Sequence, residues 1–236
     1  MDFAGRSIVL TGVSREGQVG EAVAQAFAER GARVFLVDHT EAHVRARAEA
    51  LVARGLRAAA LAADLTDVAA AGVLAERVRD ATGGRLHALV HLAGGFAPSG
   101  PVSESDHDVW HRQLAMNATT AYLTARAFLP LLRGPSGALV FFASEAVLAN
   151  ARTATLSAYV AAKSAVVALM QAIAQEERAN GVRANAVAPT TIRTADNVAS
   201  MGADAPMVTR EAVADVVLWL CSDASRAVTG QVVPVR

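Results

Sequence analysis

Tyr159 and Lys163 stand four residues apart, a spacing that puts both on one face of a helix about 6 Å apart along its axis. A free phenol ionises only near pH 10, so near neutrality it is almost wholly protonated. An ammonium beside it stabilises phenolate and moves the group towards the working range of acid–base catalysis. The pair uses one of two tyrosines and, among 22 basic residues, the only lysine. Arginine-rich coding would leave a lone lysine by chance. A compact ammonium can also fill a place that a broad guanidinium plane cannot.

A second constellation lies near the start of the chain. Thr11-Gly12-Val13-Ser14-Arg15-Glu16-Gly17-Gln18-Val19-Gly20 follows an apolar run and precedes a helical pattern. A glycine-rich turn at such a junction lets backbone N–H groups and a helix N-terminus approach a pyrophosphate. An ordinary glycine turn is the plain alternative. Asp38, 18 residues past Gly20, can accept hydrogen bonds from adenosine ribose hydroxyls and would repel a 2′-phosphate. Arg15 pulls the other way, because a basic side chain in the loop can pair with that phosphate. Asp38 carries the greater weight, which favours NAD over NADP.

Seven short runs read as buried strands: Ser7–Leu10, Arg33–Val37, Arg57–Ala62, His87–His91, Ala138–Ala143, Arg183–Ala188 and Gln231–Val235. Most are nearly continuous in apolar residues, as strands covered on both faces are. Between them, Val19, Val23 and Phe27 step by four towards a stop at Gly31. Thr66 or Asp67 can cap a helix running to Asp80, a long helix covers about Leu156–Ala179, and a last one about Thr209–Cys221. The alternation implies one α/β domain over residues 1–236, built on a doubly wound, mostly parallel seven-stranded sheet with helices on both faces. Residues 189–208 hold no clear element and follow a strand's C-terminal end, where such sheets bind ligands, so a short substrate lid is expected there.

Composition narrows the partners. The hydrophobic fraction is 53% and the formal net charge is zero, which gives a nucleic-acid surface or a polybasic membrane patch no support. Cys221 is the only cysteine, so no intrachain disulfide forms and a reducing compartment fits. The expectation is a cytoplasmic protein with no signal peptide, no membrane-length apolar stretch and no metal site.

Taken together and in order, these segments resemble the short-chain dehydrogenases/reductases over nearly the whole chain. Thr11 to Gly20 is similar to their cofactor loop. Asp64-Leu65-Thr66 looks like the stretch beside the adenine, and Leu92-Ala93-Gly94-Gly95 falls where the family has Asn-Asn-Ala-Gly. Asn117, Ser144, Tyr159 and Lys163 match its four catalytic positions. The resemblance implies a Rossmann-like fold and hydride transfer between NAD or NADP and a carbonyl/alcohol substrate, possible targets including 3-oxoacyl thioesters. Tyr159 would move the proton and Lys163 would lower its pKa and hold the nicotinamide ribose. Ser144 would orient the substrate oxygen, and Asn117 would hold a water for proton relay. Gly12, Ser14, Arg15, Gly17, Val19, Gly20, Asp38, Asp64, Leu65, Ala93, Gly94, Tyr159, Lys163, Pro189, Thr191, Ile192 and Thr194 would meet the cofactor. A homotetramer or homodimer with a small-molecule substrate is implied as well.

The departures are specific. The usual loop is Thr-Gly-x-x-x-Gly-x-Gly; here it is longer by two residues and Gln18 replaces the middle glycine, unless Gly17 takes over that role. Enoyl reductases of the same superfamily also lengthen this loop, but space their Tyr and Lys wider. His91 stands where asparagine is common and reads as a buried structural histidine. Thr190 replaces a glycine after Pro189. Gly94-Gly95-Phe96 and the compact segment from Pro189 to Thr194 resemble the dihydropteridine-reductase branch, against which Ser144 counts. A non-catalytic dinucleotide-binding regulator is the reading from another class.

Overall fold

The structure, a computed structural model, describes residues 1–134 and 136–236. The strands are β1 (Ser7–Thr11), β2 (Arg33–Asp38), β3 (Arg57–Ala62), β4 (Ala88–His91), β5 (Gly137–Phe142), β6 (Val182–Pro189) and β7 (Val232–Val235). They form one sheet in the order β3-β2-β1-β4-β5-β6-β7. All six pairings are parallel, so the expected mostly parallel sheet is wholly so among the described residues.

The continuous apolar runs have a simple cause. Ile8, Leu10, Val34 and Leu36 point to one core, while Val9, Phe35 and Val37 point to the other. Side chains alternate across a strand, so a sheet buried on both sides needs apolar residues at every position. Helices α1 (Val19–Glu29), α2 (Glu41–Val52) and α8 (Arg210–Cys221) supply Phe27, Val44 and Val217 to the first core. Helices α3 (Val68–Thr82), α5 (Thr120–Leu132) and α6 (Ser157–Glu176) supply Leu74, Phe128 and Met170 to the second. Asp67 is the cap of α3, accepting from Ala69 and Ala70 N–H at 2.6 and 3.1 Å, whereas Thr66 turns back to Asp64.

Two expectations need correcting. Residues 189–208 are not structureless: α7 (Ala195–Met201) lies within them, and Ile192 bridges to Val208. Thr194 caps that short helix by accepting from Asn197 N–H at 3.2 Å. In addition, α6 is long and apolar enough in composition to cross a bilayer, with mean hydropathy 1.4. It carries the buried Lys163 and packs Val166, Met170 and Ile173 into the second core, so one face of the helix is held inside this domain.

Before α5 the chain forms α4 (His107–Gln113) and then a π-helical segment, Leu114–Thr119. One extra residue per turn re-aims a side chain, and such bulges gather at functional sites. Here it buries Asn117. The sheet order reverses between β1 and β4, and the crevice at their C-terminal ends is where open parallel sheets bind ligands.

Candidate active site

The floor of the crevice is built by close backbone approach. Gly12 has φ +75°, and a Cβ there would lie 2.7 Å from Ala93 N; Gly20 is closed by Gly12 O at the same distance. The turn after β1 is thereby pressed against the turn after β4 and against the start of α1. Gln18 gives α1 no side-chain cap, so the helix start keeps capacity for an anion. Backbone packed this closely, leading into an uncapped helix start, makes a cradle that suits a dinucleotide pyrophosphate.

The lengthened loop is held from within. Glu21 accepts from Gly17 N–H at 2.7 Å and pairs with Arg47 at 2.6 Å, so the Gly17 amide is already engaged. Ser14 Oγ lies 3.4 Å from His43 Nδ1. Val19 turns inward to the first core. Arg15 and Gln18 both reach across to Asp196 on α7, at 2.8 and 3.1 Å. The sequence raised Arg15 as a partner for a 2′-phosphate; its guanidinium is instead engaged by a lid carboxylate. Asp196 was missed because only the tertiary fold brings residues 15 and 196 together.

Asp38 ends β2 and is 6% exposed. It accepts from Thr40 N–H at 3.0 Å and faces His39 Nδ1 at 3.2 Å. Asp64 sits in an exposed turn, where the Thr66 hydroxyl and N–H hold its carboxyl below the usual range. Leu65 is buried in the second core, so its side chain packs. Pro189 pairs with Val235 at the end of β6. Beyond it, Thr191 O accepts from Val208 N–H, Ile192 O accepts from Asn197 Nδ2, and Thr194 is 7% exposed.

On the far side of the crevice, four predicted side chains come together. Lys163 is 7% exposed and donates from Nζ to Phe142 O at 2.8 Å. Gly94 has φ +155°, and a Cβ there would fall 2.5 Å from Asn117 Oδ1 and 3.3 Å from Lys163 Nζ. Asn117 is 1% exposed: Oδ1 accepts from Gly95 N–H, and Nδ2 donates to Gly95 O and to Gln113 O and Oε1. Gln113 is thus a buried support for Asn117 that the sequence reading passed over, although its i, i+4 spacing was visible. Ser144 follows β5, accepts from Ala146 N–H at 3.2 Å and acts on the Tyr159 phenol.

Electrostatics revise one expectation. Burial pushes the Tyr159 phenol above its ordinary value, with the Ser144 hydroxyl pulling the other way. Lys163 was expected to lower it. Its Nζ lies 6.0 Å from the Tyr159 ring centre and is spent on Phe142 O, while burial brings Lys163 itself down to about 8. Desolvation outweighs the Ser144 hydroxyl in this arrangement.

His91 is the buried, hydrogen-bonded histidine expected. Thr11 Oγ1 lies 3.0 Å from Nδ1 and Thr120 Oγ1 lies 3.3 Å from Nε2. Ala93 N–H donates to Thr11 Oγ1, and Thr120 Oγ1 donates to Met116 O. Those two ends fix the direction between them: Thr11 donates to Nδ1, and Nε2–H donates to Thr120. Burial, aided by the Lys163 charge, holds His91 down to about 3, so the ring is neutral.

Comparison with known proteins agrees in kind. Residues 12–236 match the family described as enoyl-(acyl carrier protein) reductase. The chain is 34% identical over 232 residues to 2-(S)-hydroxypropyl-CoM dehydrogenase 3 of Xanthobacter autotrophicus, covering 90% of this chain and 88% of that one. It is 34% identical over 244 residues to cis-4-hydroxycyclohexanecarboxylate dehydrogenase of Sinomonas cyclohexanicum, covering 99% and 96%. Among solved structures, a 3-oxoacyl-[acyl-carrier protein] reductase from Brucella melitensis superposes with a TM-score of 0.87 at 32% identity, covering 99% and 90%.

Proposed function

Because the chain belongs to the short-chain dehydrogenase/reductase family, whose members it matches as an NAD(P)-dependent oxidoreductase, we propose that it interconverts a carbonyl and a secondary alcohol with NAD as the preferred cofactor. One observation supports the reading: Asn117 Oδ1 and Lys163 Nζ meet at Gly94, with the Tyr159 ring 6.0 Å from that Nζ and Ser144 acting on its phenol. Bound nicotinamide supplies or accepts the hydride.

The chain's own residues do the rest. Tyr159, kept protonated by burial, gives its proton to the substrate oxygen in reduction and takes it back in oxidation. Ser144 holds that oxygen beside the phenol. Lys163 places a buried positive charge under the site and binds the nicotinamide ribose. Asn117 keeps the Gly94-Gly95 turn open and supports a water for proton relay. Asp38 accepts from the adenosine ribose, and Asp196, 2.8 Å from Arg15, offsets the loop's pull towards a 2′-phosphate. The four-residue Tyr–Lys spacing supports a carbonyl substrate over the enoyl substrate that the family description names, and Ser144 supports it over a pteridine. A homo-oligomer acting on a small molecule is part of the proposal.

Fluorescence titration with NADH and NADPH, followed by turnover of wild type and Tyr159→Phe on carbonyl substrates, tests it. NADH is expected to bind more tightly, and Tyr159→Phe to keep binding while losing about 1,000-fold or more in kcat, within the range of acid–base catalysis. Binding of neither nucleotide would sink the proposal.

A further inference from the structure

Phe96 is 63% exposed, and the backbone on either side of it is pinned. Before it, Gly95 exchanges two hydrogen bonds with the Asn117 amide, at 3.2 and 3.0 Å. After it, the N–H groups of Ser99 and Gly100 both donate to Thr155 O, at 2.8 and 3.1 Å. The Ser99 hydroxyl adds a bond to the same oxygen at 3.2 Å and meets Ser157 Oγ at 3.1 Å. Thr155 holds φ +65°, a strained conformation for a β-branched residue, and this turn presents the carbonyl that anchors the loop.

The loop thereby sets the Phe96 ring edge-on against Tyr159, with centroids 5.1 Å apart and planes at 81°. Met116, 38% exposed, packs one residue back along the same loop, its Sδ 2.9 Å from where a Gly95 Cβ would stand. Beside the Tyr159 phenol the protein thus offers a flat ring on an anchored loop, with a polarisable thioether against the preceding residue, surfaces that suit an apolar ring.

We propose that Phe96, with Met116, forms a substrate subsite that selects ketones and secondary alcohols bearing an aromatic or alicyclic ring next to the reacting carbon. The proposal rests on the carbonyl/alcohol reading above and narrows its substrate class. Covering the open face of Phe96 removes apolar surface from water, and an extended polyol cannot do this without stranding its hydroxyls.

The test compares NADH-dependent reduction of acetophenone with that of dihydroxyacetone in wild type, Phe96→Ala and Phe96→Tyr. Wild type is expected to prefer acetophenone in kcat/KM by about tenfold or more, on the scale of a small hydrophobic pocket. Phe96→Ala should cut that ratio at least fivefold, and Phe96→Tyr, which keeps the flat face, should restore it. Saturation-transfer NMR without cofactor gives a second readout: transfer to the acetophenone ring protons should fall at least threefold in Phe96→Ala. Preference for dihydroxyacetone, reduction of neither ketone, or equal losses on both would overturn the subsite. NADH titration separates the failures. If NADH binds and either ketone is reduced, only the subsite falls; if neither ketone is reduced, or neither NADH nor NADPH binds, the carbonyl/alcohol reading falls with it.

Discussion

Lowering the pH from 7 to 5 tests the buried histidine directly. His91 is 2% exposed and held down to about 3, against an ordinary value near 6.5. The unfolded chain therefore binds a proton near pH 6.5 that the folded chain refuses until about pH 3. The stability this group contributes is fully present above 6.5 and is lost as pH falls towards 3. Linkage between those two values gives a loss of about 2 kcal/mol between pH 7 and 5, or roughly 4–8 °C in Tm for a chain of this size. Other groups also titrate in that interval, so the informative quantity is a difference of differences. Urea unfolding at pH 7 and pH 5 should show wild type losing about 2 kcal/mol more than His91→Asn, which keeps polar atoms between Thr11 and Thr120 but cannot titrate. Parallel losses in the two proteins would refute the assignment of His91 as a neutral ring bonded on both sides.

Lys163→Arg keeps the charge but not the shape, and the ammonium already sits 2.8 Å from Phe142 O and 3.3 Å from where a Gly94 Cβ would stand. Steady-state kinetics should show a loss of about 100-fold or more, and activity within a few-fold of wild type would make the lone lysine an accident. Gly94→Ala should cost about 1–3 kcal/mol by thermal unfolding and most activity, because its methyl meets Asn117 Oδ1. Asp38→Ala should weaken NADH about tenfold in a fluorescence titration while NADPH changes less. In pH–rate profiles, oxidation should rise through pH 9 as the raised Tyr159 phenol ionises. Reduction should stay flat from pH 6 and decline above about 8 as Lys163 loses its proton.

The sheet was legible because burial on both faces leaves a run such as Ile8-Val9-Leu10 no polar position. Helix α2 was not: its buried residues Val44, Ala48 and Leu51 have helical spacing, but alanine blurs the contrast with the arginines around them. The site was legible where chemistry demands a residue type, at Tyr159, Lys163, Ser144 and Asn117. It was not where tertiary contact assigns the role. Gln113 supports Asn117, Asp196 captures Arg15, and Thr155 holds the loop that carries Phe96. The upward shift of Tyr159 was hidden for the same reason, since desolvation depends on what surrounds a group and spacing says only what it could touch.

The chain of bonds through His91 has a mechanical consequence. Running from Ala93 N–H through Thr11, the imidazole and Thr120 to Met116 O, it uses each intervening group once as donor and once as acceptor. It acts as a strut beneath the floor, joining the strand that leads to Gly12, the turn bearing Gly94 and the π segment bearing Asn117. The nucleotide cradle and the proton-transfer side of the crevice are thereby braced to each other from below, independently of the 96–100 loop and α7 above. A scaffold braced in this way allows its substrate-facing parts to be exchanged, in evolution or by grafting, while the distance between cradle and phenol stays the same.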